Sequence, residues 1–412
     1  MVAPFLPDAE KVAAIREALP ASGAGIYLDT GSAGPLPVEA VRAMREAEDW
    51  EIRVGRATPD GWEAFLDRME EARAVVAALL STDPDSVALT HSTTEGMTIA
   101  TWAHDWGPGD QAVTSGEEHR GLLAPLVALR ERLGVELSIV EVGGGRDETQ
   151  ILEAFDRAIT ERTRLVSVSH VTWATGGVLP IEQIAALAHD RGAWFAVDGA
   201  QAAGAIRTDV PATGADFYAV SAYKWLLGPE GTGALWVGPR AQADARQTLA
   251  GPLSFEYLTM DGRGAPAPAA RRFESSGLHR SSLVGLARAV GWLEMYVGLE
   301  WAYERAARLC GQTAERLAAL PGVTVLTPPD RMATLLAFRI SGWSCEQVRE
   351  ELSRRVFAVV RAIPELDAVR ASVAFFNTDE ELKRFVDAVA ELARHTPDTL
   401  PRRPTLVVVS RA

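Results

Sequence analysis

In "FYAVSAYKWLLGPEG", Lys224 follows the apolar run Phe217 to Val220 and precedes Trp225, Leu226 and Leu227. Its ammonium is therefore set where hydration is poor, which lowers an amine's pKa and makes it a nucleophile or a base. Earlier in the chain, "AVDGAQAAG" puts Asp198 directly after the apolar run Trp194 to Val197, with Gln201 just beyond. A carboxylate there is costly unless a cation meets it: Lys224, another basic side chain, or a protonated heterocycle.

An amine that can form an imine, paired with an acid that keeps a pyridine nitrogen protonated, is what a pyridoxal phosphate enzyme needs. A strand-end aspartate is also a common structural feature, so further residues must decide. "ALTHSTTEGMTIA" supplies Ser92, Thr93, Thr94 and Gly96 after a strand, where a helix from Thr94 would offer amides and hydroxyls to an anion. An ordinary N-cap is the plainer alternative. "SGEEHRGLL" places His119 between strand and helix, either over an aromatic ring or at the surface. "AVRASVAFFN" sets Arg370 in an apolar run, where it pairs with a substrate carboxylate or an internal acid. Trp173, His170, Arg361, His279 and Arg280 are candidates to line a substrate pocket, though each could be packing.

These residues need a scaffold that delivers them to one edge. From about residue 86, short β-rich runs alternate with helical patterns: "VALTH", "QAVTS", "LSIVEV", "RLVSVSHV", "WFAVDGA" and "FYAVSAY" are separated by helices. Near-continuous apolar strands in such alternation read as an α/β fold with a mostly parallel sheet covered on both faces, whose ligands lie at the strands' carboxyl ends. "RGAPAPAARR", residues 263–272, reads as a connector. One long helix is expected over 282–319, then a compact α+β unit with a single strand in "FAVVRAI", a helix over 344–355 and a helix from Thr378. The large domain is placed at 26–270, and the smaller α+β domain with its connecting helix at 1–25 and 271–412. The β-like run in the tail "PRRPTLVVVSRA" has no assigned place.

The 412 residues, 47% hydrophobic and 23% charged, fit a globular protein. A net charge of -14 without a basic stretch argues against nucleic acid and anionic membrane partners. No leader-like start or long apolar run is present, so a cytoplasmic location is expected. Cys310 and Cys345 are too few for a disulfide framework or a thiolate metal site, and no metal is expected. Cys345 opens "SCEQVREELSRR", where Ser344 and Gln347 have capping-box spacing. A helix start can acidify a thiol; an isolated buried cysteine is more often plain packing.

From "YLDTGSAGPLP" to "VRASVAFFNT", the chain resembles the class V aminotransferases, fold-type I pyridoxal phosphate enzymes with a seven-stranded sheet. The resemblance implies that Lys224 carries the cofactor as an imine and moves the Cα proton. It implies Asp198 beneath the pyridine nitrogen, Gln201 near the phenolic oxygen and His119 stacked on the ring. Thr93, Thr94, Ser221 and Tyr223 become the phosphate cradle, although the family usually has histidine where Tyr223 stands. Arg370 becomes the grip on the substrate carboxylate. "RRFESSGLHRSS" matches the segment reaching the partner's cofactor in a homodimer with a cross-subunit site, making Ser275 or Ser276 a phosphate ligand; the usual threonine aligns with Gly277.

Cysteine desulfurases of this family carry a thiol shortly before the arginine, and "RAIPELDAV" at 361–369 has none. "SHVTWATGG" resembles the carbon–sulfur lyase branch instead, with His170 where desulfurases have asparagine. The expectation is a β-lyase acting on a small amino acid: cystine, cysteine or a cysteine S-conjugate, giving pyruvate, ammonia and a sulfur product. Epimerisation or racemisation and then transamination follow as alternatives on the same scaffold, and a non-catalytic scaffold protein is the alternative of another class.

Overall fold

The computed structural model describes residues 6–143 and 147–401. Helix α1 (Asp8–Ala18) and the short strand β1 (Ile26–Tyr27) precede two long helices, α2 (Val38–Val54) and α3 (Pro59–Leu79). Strands and helices then alternate: β2 (Val87–Thr90), α4 (Thr93–Trp102), β3 (Gln111–Ser115), α5 (Arg120–Leu133), β4 (Glu136–Val140), α6 (Glu148–Ala158), β5 (Thr163–Ser169), α7 (Ile181–Asp190) and β6 (Trp194–Asp198). After them come β7 (Phe217–Ser221), β8 (Gly233–Val237), α8 (Pro239–Asp244), β9 (Phe255–Leu258) and β10 (Gly264–Pro266). The remainder is α9 (Arg280–Trp292), α10 (Leu299–Ala318), β11 (Val323–Val325), β12 (Leu335–Ile340), α11 (Cys345–Val356), β13 (Ala358–Val359), β14 (Arg361–Ile363), β15 (Ala368–Ser372) and α12 (Asp379–Ala393).

Seven strands form one sheet in the order β2-β8-β7-β6-β5-β3-β4. The five from β7 to β4 are mutually parallel, and β8 runs antiparallel to both its neighbours. Both faces are buried except at the edge strand β4, where Glu136 and Ile139 are exposed, which explains the near-continuous apolar strands. Leu165, Ala196, Phe217 and Ala219 pack toward Met97 of α4 and Leu122 of α5. Val166, Phe195, Val197 and Tyr218 pack on the other face, toward Val76 of α3, Ile184 of α7 and Leu286 of α9. Each large side chain so buried contributes about 1.5–3 kcal/mol. Because side chains alternate along a strand, the face that a strand-end residue joins is fixed by parity.

A second, antiparallel sheet has the order β11-β12-β15-β14. Its apolar core includes Phe338, Phe385, Leu352 and Leu317, drawn from β12, α12, α11 and α10. A separate cluster with Ile15, Trp225, Leu227, Trp292, Leu335 and Phe376 unites α1, the segment after β7, the end of α9 and the second sheet.

Several expectations change. The long helix over 282–319 is two helices: a π-helical turn, Leu293–Val297, ends at Gly298, whose φ of 82° lies in the region that favours glycine. "FAVVRAI" is two strands, because Phe357 takes a left-handed φ of 56° before β13 and the chain crosses from β1 to β15 between them. Residues 263–272 are no bare connector: β10 pairs with β9 in a hairpin, and Ala269–Phe273 forms a 3-10 turn. The boundary drawn at residue 26 falls in a strand that pairs with β13 of the C-terminal half. Leu278, Leu283 and Leu286, assigned to the smaller unit, pack into the core of the large sheet. The capping box at Ser344 and Gln347 is present. The β-like run of the tail lies outside the described residues. Among the described residues no helix is long and apolar enough to cross a membrane.

Candidate active site

Three parallel strand ends and one helix start converge. Asp198 is the last residue of β6 and Ser221 the last of β7; Lys224 follows in a tight turn where Leu227 N–H donates to Lys224 O at 3.2 Å. Leu227 holds a positive φ of 54°, uncommon for a non-glycine residue and tolerated here by complete burial of its side chain. Gly34 passes so close to the turn that a Cβ on it would stand 2.1 Å from Lys224 O.

Lys224 is 7% exposed, and burial pushes its pKa down to about 8, with the Arg370 charge adding to the fall while Asp198 and Asp29 oppose it. Asp198 is also buried, its Oδ1 accepting from Ala200 N–H at 2.9 Å. Burial raises its pKa, partly countered by Lys224. No ion pair reaches Asp198 among the described residues. A buried carboxylate so placed fits a cationic ligand group such as a protonated pyridine nitrogen.

Helix α4 starts one residue earlier than expected, because Ser92 is its N-cap: its Oγ accepts from Glu95 N–H at 3.1 Å. Thr93 therefore occupies the first helical position. The Thr93 Oγ1 and Ser221 Oγ hydroxyls are buried with no hydrogen-bond partner among the described residues. Two orphaned hydroxyls beside the open amides of a ten-residue helix fit a phosphate. Thr94 is exposed and lies against the start of α5, where a Cβ on Gly121 would meet its Oγ1 at 2.3 Å. Tyr223 is half-buried, with its carbonyl accepting from Gly34 N–H at 2.7 Å. The structure thus offers both anchoring groups that pyridoxal phosphate needs.

His119 caps α5: its Nδ1 accepts from Gly121 N–H at 3.0 Å, which leaves the ring proton on Nε2. The ring faces the cleft, yet packing around it and the Lys224 and Arg370 charges push its pKa down to about 4. The neutral ring meets Trp173 edge-on, at 5.6 Å between centroids. Gln201 is oriented at both ends, Nε2 donating to Gly31 O and Oε1 accepting from Trp225 Nε1, each at 2.8 Å. One amide N–H remains for a ligand.

Arg370 is buried, with Nη1 donating to Trp173 O at 2.6 Å and Nη2 to Ser32 Oγ at 3.3 Å. The internal acid weighed from sequence exists: Asp29 lies 3.6 Å from Nη2. That contact is loose, and Asp29 is already engaged by Ser32 Oγ at 2.7 Å. Arg370 Nε has no partner among the described residues, and burial pushes the guanidinium pKa down to about 10. A desolvated guanidinium with an unused N–H suits a carboxylate ligand. Arg361 stands opposite Arg370 in the β14–β15 register, so both side chains share one face. A cleft of about 500 Å³, lined by Asp29, His119, Trp173 and Arg361 among others, opens between the two sheets.

His170 does not join these residues. It continues the parity of Val166 and Val168 onto the opposite face of the sheet, where Nδ1 lies 2.9 Å from Tyr218 Oη and burial pushes its pKa down to about 4. It is a buried packing histidine rather than a substrate contact. Ser275 Oγ lies 3.3 Å from Glu95 Oε1 in the first turn of α4 of the same chain, whereas Ser276 and His279 are exposed and Arg280 donates to the carbonyls of Arg56 and Gly61. Cys345 is buried, and burial with the nearby Asp367 raises its thiol pKa, so the helix start does not acidify it. Residues unread from sequence include Asp29, Ser32 and Glu118; the first two lie within "YLDTGSAG", whose role as a wall of the site only the β1–β13 pairing reveals.

The family profile of the class V aminotransferases matches residues 26–385. A probable cysteine desulfurase of Methanothermobacter thermautotrophicus is 29% identical over 399 residues, 92% of this chain and 97% of the relative. An isopenicillin N epimerase of Streptomyces clavuligerus is 29% identical over 387 residues, 89% of this chain and 94% of the relative. The fold matches that of the cystine C-S lyase C-DES, solved with its product cysteine persulfide, with a TM-score of 0.85 at 24% identity, covering 90% of this chain and 99% of that one. The chain belongs to the class V aminotransferase family and is a pyridoxal-phosphate-dependent enzyme.

Proposed function

We propose that the enzyme eliminates a sulfur group from Cβ of cystine, cysteine or a cysteine S-conjugate, releasing pyruvate, ammonia and a sulfur product. The observation that carries this reading is the absence of a thiol from the cleft. The chain has two cysteines; Cys310 is fully buried with its pKa pushed up to about 12, and Cys345 is packed into the core of the second sheet. The loop 361–369, where the resemblance would place a desulfurase's cysteine, has no thiol and includes the turn Pro364–Leu366. A sulfur anion must therefore leave without an enzyme nucleophile to receive it.

Pyridoxal phosphate, when bound, supplies an aldehyde for imine formation and a protonated ring that withdraws electrons from Cα. Lys224 would hold it, Asp198 would face its ring nitrogen and His119 its ring, and Thr93 and Ser221 would take its phosphate. Arg370, aided by Arg361 on the same sheet face, fixes the substrate carboxylate and so the direction of the Cα–H bond. With its lowered pKa, Lys224 is a competent base for that proton near neutral pH. His119, neutral and donating only from Nε2, adds no positive charge beside the ring.

We further propose a homodimer. Support comes from exposed apolar side chains on α2 and α3, chiefly Ile52 at 82% and Trp62 at 51% exposure, and from the 276–279 segment, where Ser276, Gly277 and His279 are exposed on either side of the buried Leu278. A second copy seated there would bring that segment to the neighbouring site.

Incubating the holoenzyme with cystine, cysteine sulfoxides and both alanine enantiomers, while following pyruvate and chirality, tests the reaction. The expected result is pyruvate from a sulfur substrate, lost in Lys224→Ala. Rapid racemisation of one substrate with pyruvate from none would install the epimerase reading instead.

A further inference from the structure

Glu118 precedes His119 and is fully buried. Its carboxyl reaches across to the end of β5. Oε1 accepts from Ser115 Oγ at 2.5 Å and from Ser169 N–H at 3.0 Å, and Oε2 accepts from the same N–H at 2.9 Å and from Ser169 Oγ. Ser169 is the register partner of Asp198, the two being the last residues of adjacent parallel strands with side chains on one face. Two buried carboxyl groups thus stand at neighbouring strand ends, and neither has an ion-pair partner among the described residues.

A clamp joining β3, β5 and α5 could be made with a neutral amide, sparing the cost of burying an acid. We propose that Glu118 is a positioning residue that sets, through the paired ends of β5 and β6, the negative charge Asp198 presents to the cofactor's ring nitrogen. This rests on the reading of Asp198 as the ring-nitrogen partner.

The hydrogen bonds are unequal. Glu118 is served by two hydroxyls and one amide, all of which favour its ionised form, whereas Asp198 has the single Ala200 N–H. Burial nevertheless pushes the Glu118 pKa up to about 7, and the Asp198 charge adds to that rise. Two like charges in one desolvated site are costly, so a charge on Asp198 opposes ionisation of Glu118. A cation beside Asp198 relieves the conflict and holds Asp198 ionised. When Glu118 ionises as well, two negative charges rather than one hold the proton on the ring nitrogen, and the ring withdraws electrons more strongly. The charged group facing Asp198 is Lys224, on the turn after β7, and the titratable neighbours Tyr218 and Tyr223 stay neutral because burial and the Asp198 charge raise their pKa; His119, beside Glu118 in the chain, is also neutral.

The test is a pH titration of the holoenzyme, following the infrared band of protonated carboxyl groups and the visible spectrum of the cofactor. Wild type is expected to show a transition near neutral pH in both. Glu118→Gln keeps the shape and one acceptor oxygen for Ser169 N–H, its amide donating to a serine hydroxyl in place of the second oxygen, and should abolish it while retaining cofactor. Ser169→Ala removes a donor that favours the charged form and should move the transition upward by roughly half a pH unit or more. A purely structural clamp would lower melting temperature in both variants and leave the pH dependence where it was, overturning the proposal; should Glu118→Gln not fold, the Ser169→Ala titration decides alone. Asp198→Asn separates the two readings. An unchanged spectrum there removes Asp198 from the ring nitrogen, whereas a changed one with Glu118→Gln at wild-type behaviour removes only Glu118.

Discussion

Lys224 has a pKa near 8, so at pH 7.5 roughly a quarter of its amine is neutral, against about one in a thousand for an ordinary lysine. Raising the pH removes its proton, so cofactor uptake by the apoenzyme should accelerate with pH and level off above about 8. An inflection near 10.5 would contradict the burial argument. The same shift has a stability sign: between about 8 and 10.5 the unfolded chain binds the proton that the folded chain has lost, so stability rises with pH there. Apo Lys224→Met should therefore be more stable than wild type at pH 7 by up to about 3 kcal/mol, with the gain fading toward pH 10.5 in denaturant melts. Arg370 yields a kinetic prediction. Lysine would keep the charge and lose the planar fork, so Arg370→Lys should raise KM at least tenfold, about 1.4 kcal/mol, with a smaller effect on kcat.

Helix α4 and strand β7 meet at Gly96, and their contact sets the distance between Thr93 and Ser221. A Cβ on Gly96 would stand 2.7 Å from the Ala219 Cβ. Alanine gains about 1 kcal/mol of helix propensity, while overpacking costs about 1–3 kcal/mol, so the packing term should win. Gly96→Ala is expected to lower the melting temperature and to weaken pyridoxal phosphate binding by the apoenzyme severalfold, measured by fluorescence titration; unchanged affinity would detach the cradle from this contact. Much of this was legible in the chain. Lys224, Asp198 and Arg370 stand out because a charge within an apolar run is costly, and the parallel strands announce themselves by being buried on both faces. His170 was misread because sequence order says nothing of strand parity unless the end residue is counted from the buried ones: Val166 and Val168 carry it away from Ser169 and Asp198. Helix α4 begins at Thr93 rather than Thr94, although Ser92 and Glu95 carry the spacing of an N-cap and its partner. The antiparallel β8, the β9–β10 hairpin and the alliance of β1 with β13 depend on pairings between distant segments, which local periodicity does not encode.

Two copies of this chain, each at -14, repel at long range, so any dimer must be held by apolar burial. The outward faces of α2 and α3 offer it: Val38, Ile52, Trp62 and Leu66 are all exposed, while the inward faces pack on α9. A patch of that kind on a charged surface marks an interface. Screening weakens the repulsion and leaves the apolar term in place, so the dimer should tighten as salt rises from about 0.01 to 0.15 M, the reverse of an interface made of salt bridges. Ile52→Glu, alone or with Trp62→Glu, introduces an unpaired charge among these exposed apolar side chains. Sedimentation should then show a monomer with an unaltered circular dichroism spectrum. Activity should fall with it if the neighbouring copy completes the site. Monomeric wild type at micromolar concentration, or variants that stay dimeric, would move the interface elsewhere and leave the 276–279 segment without a site to complete.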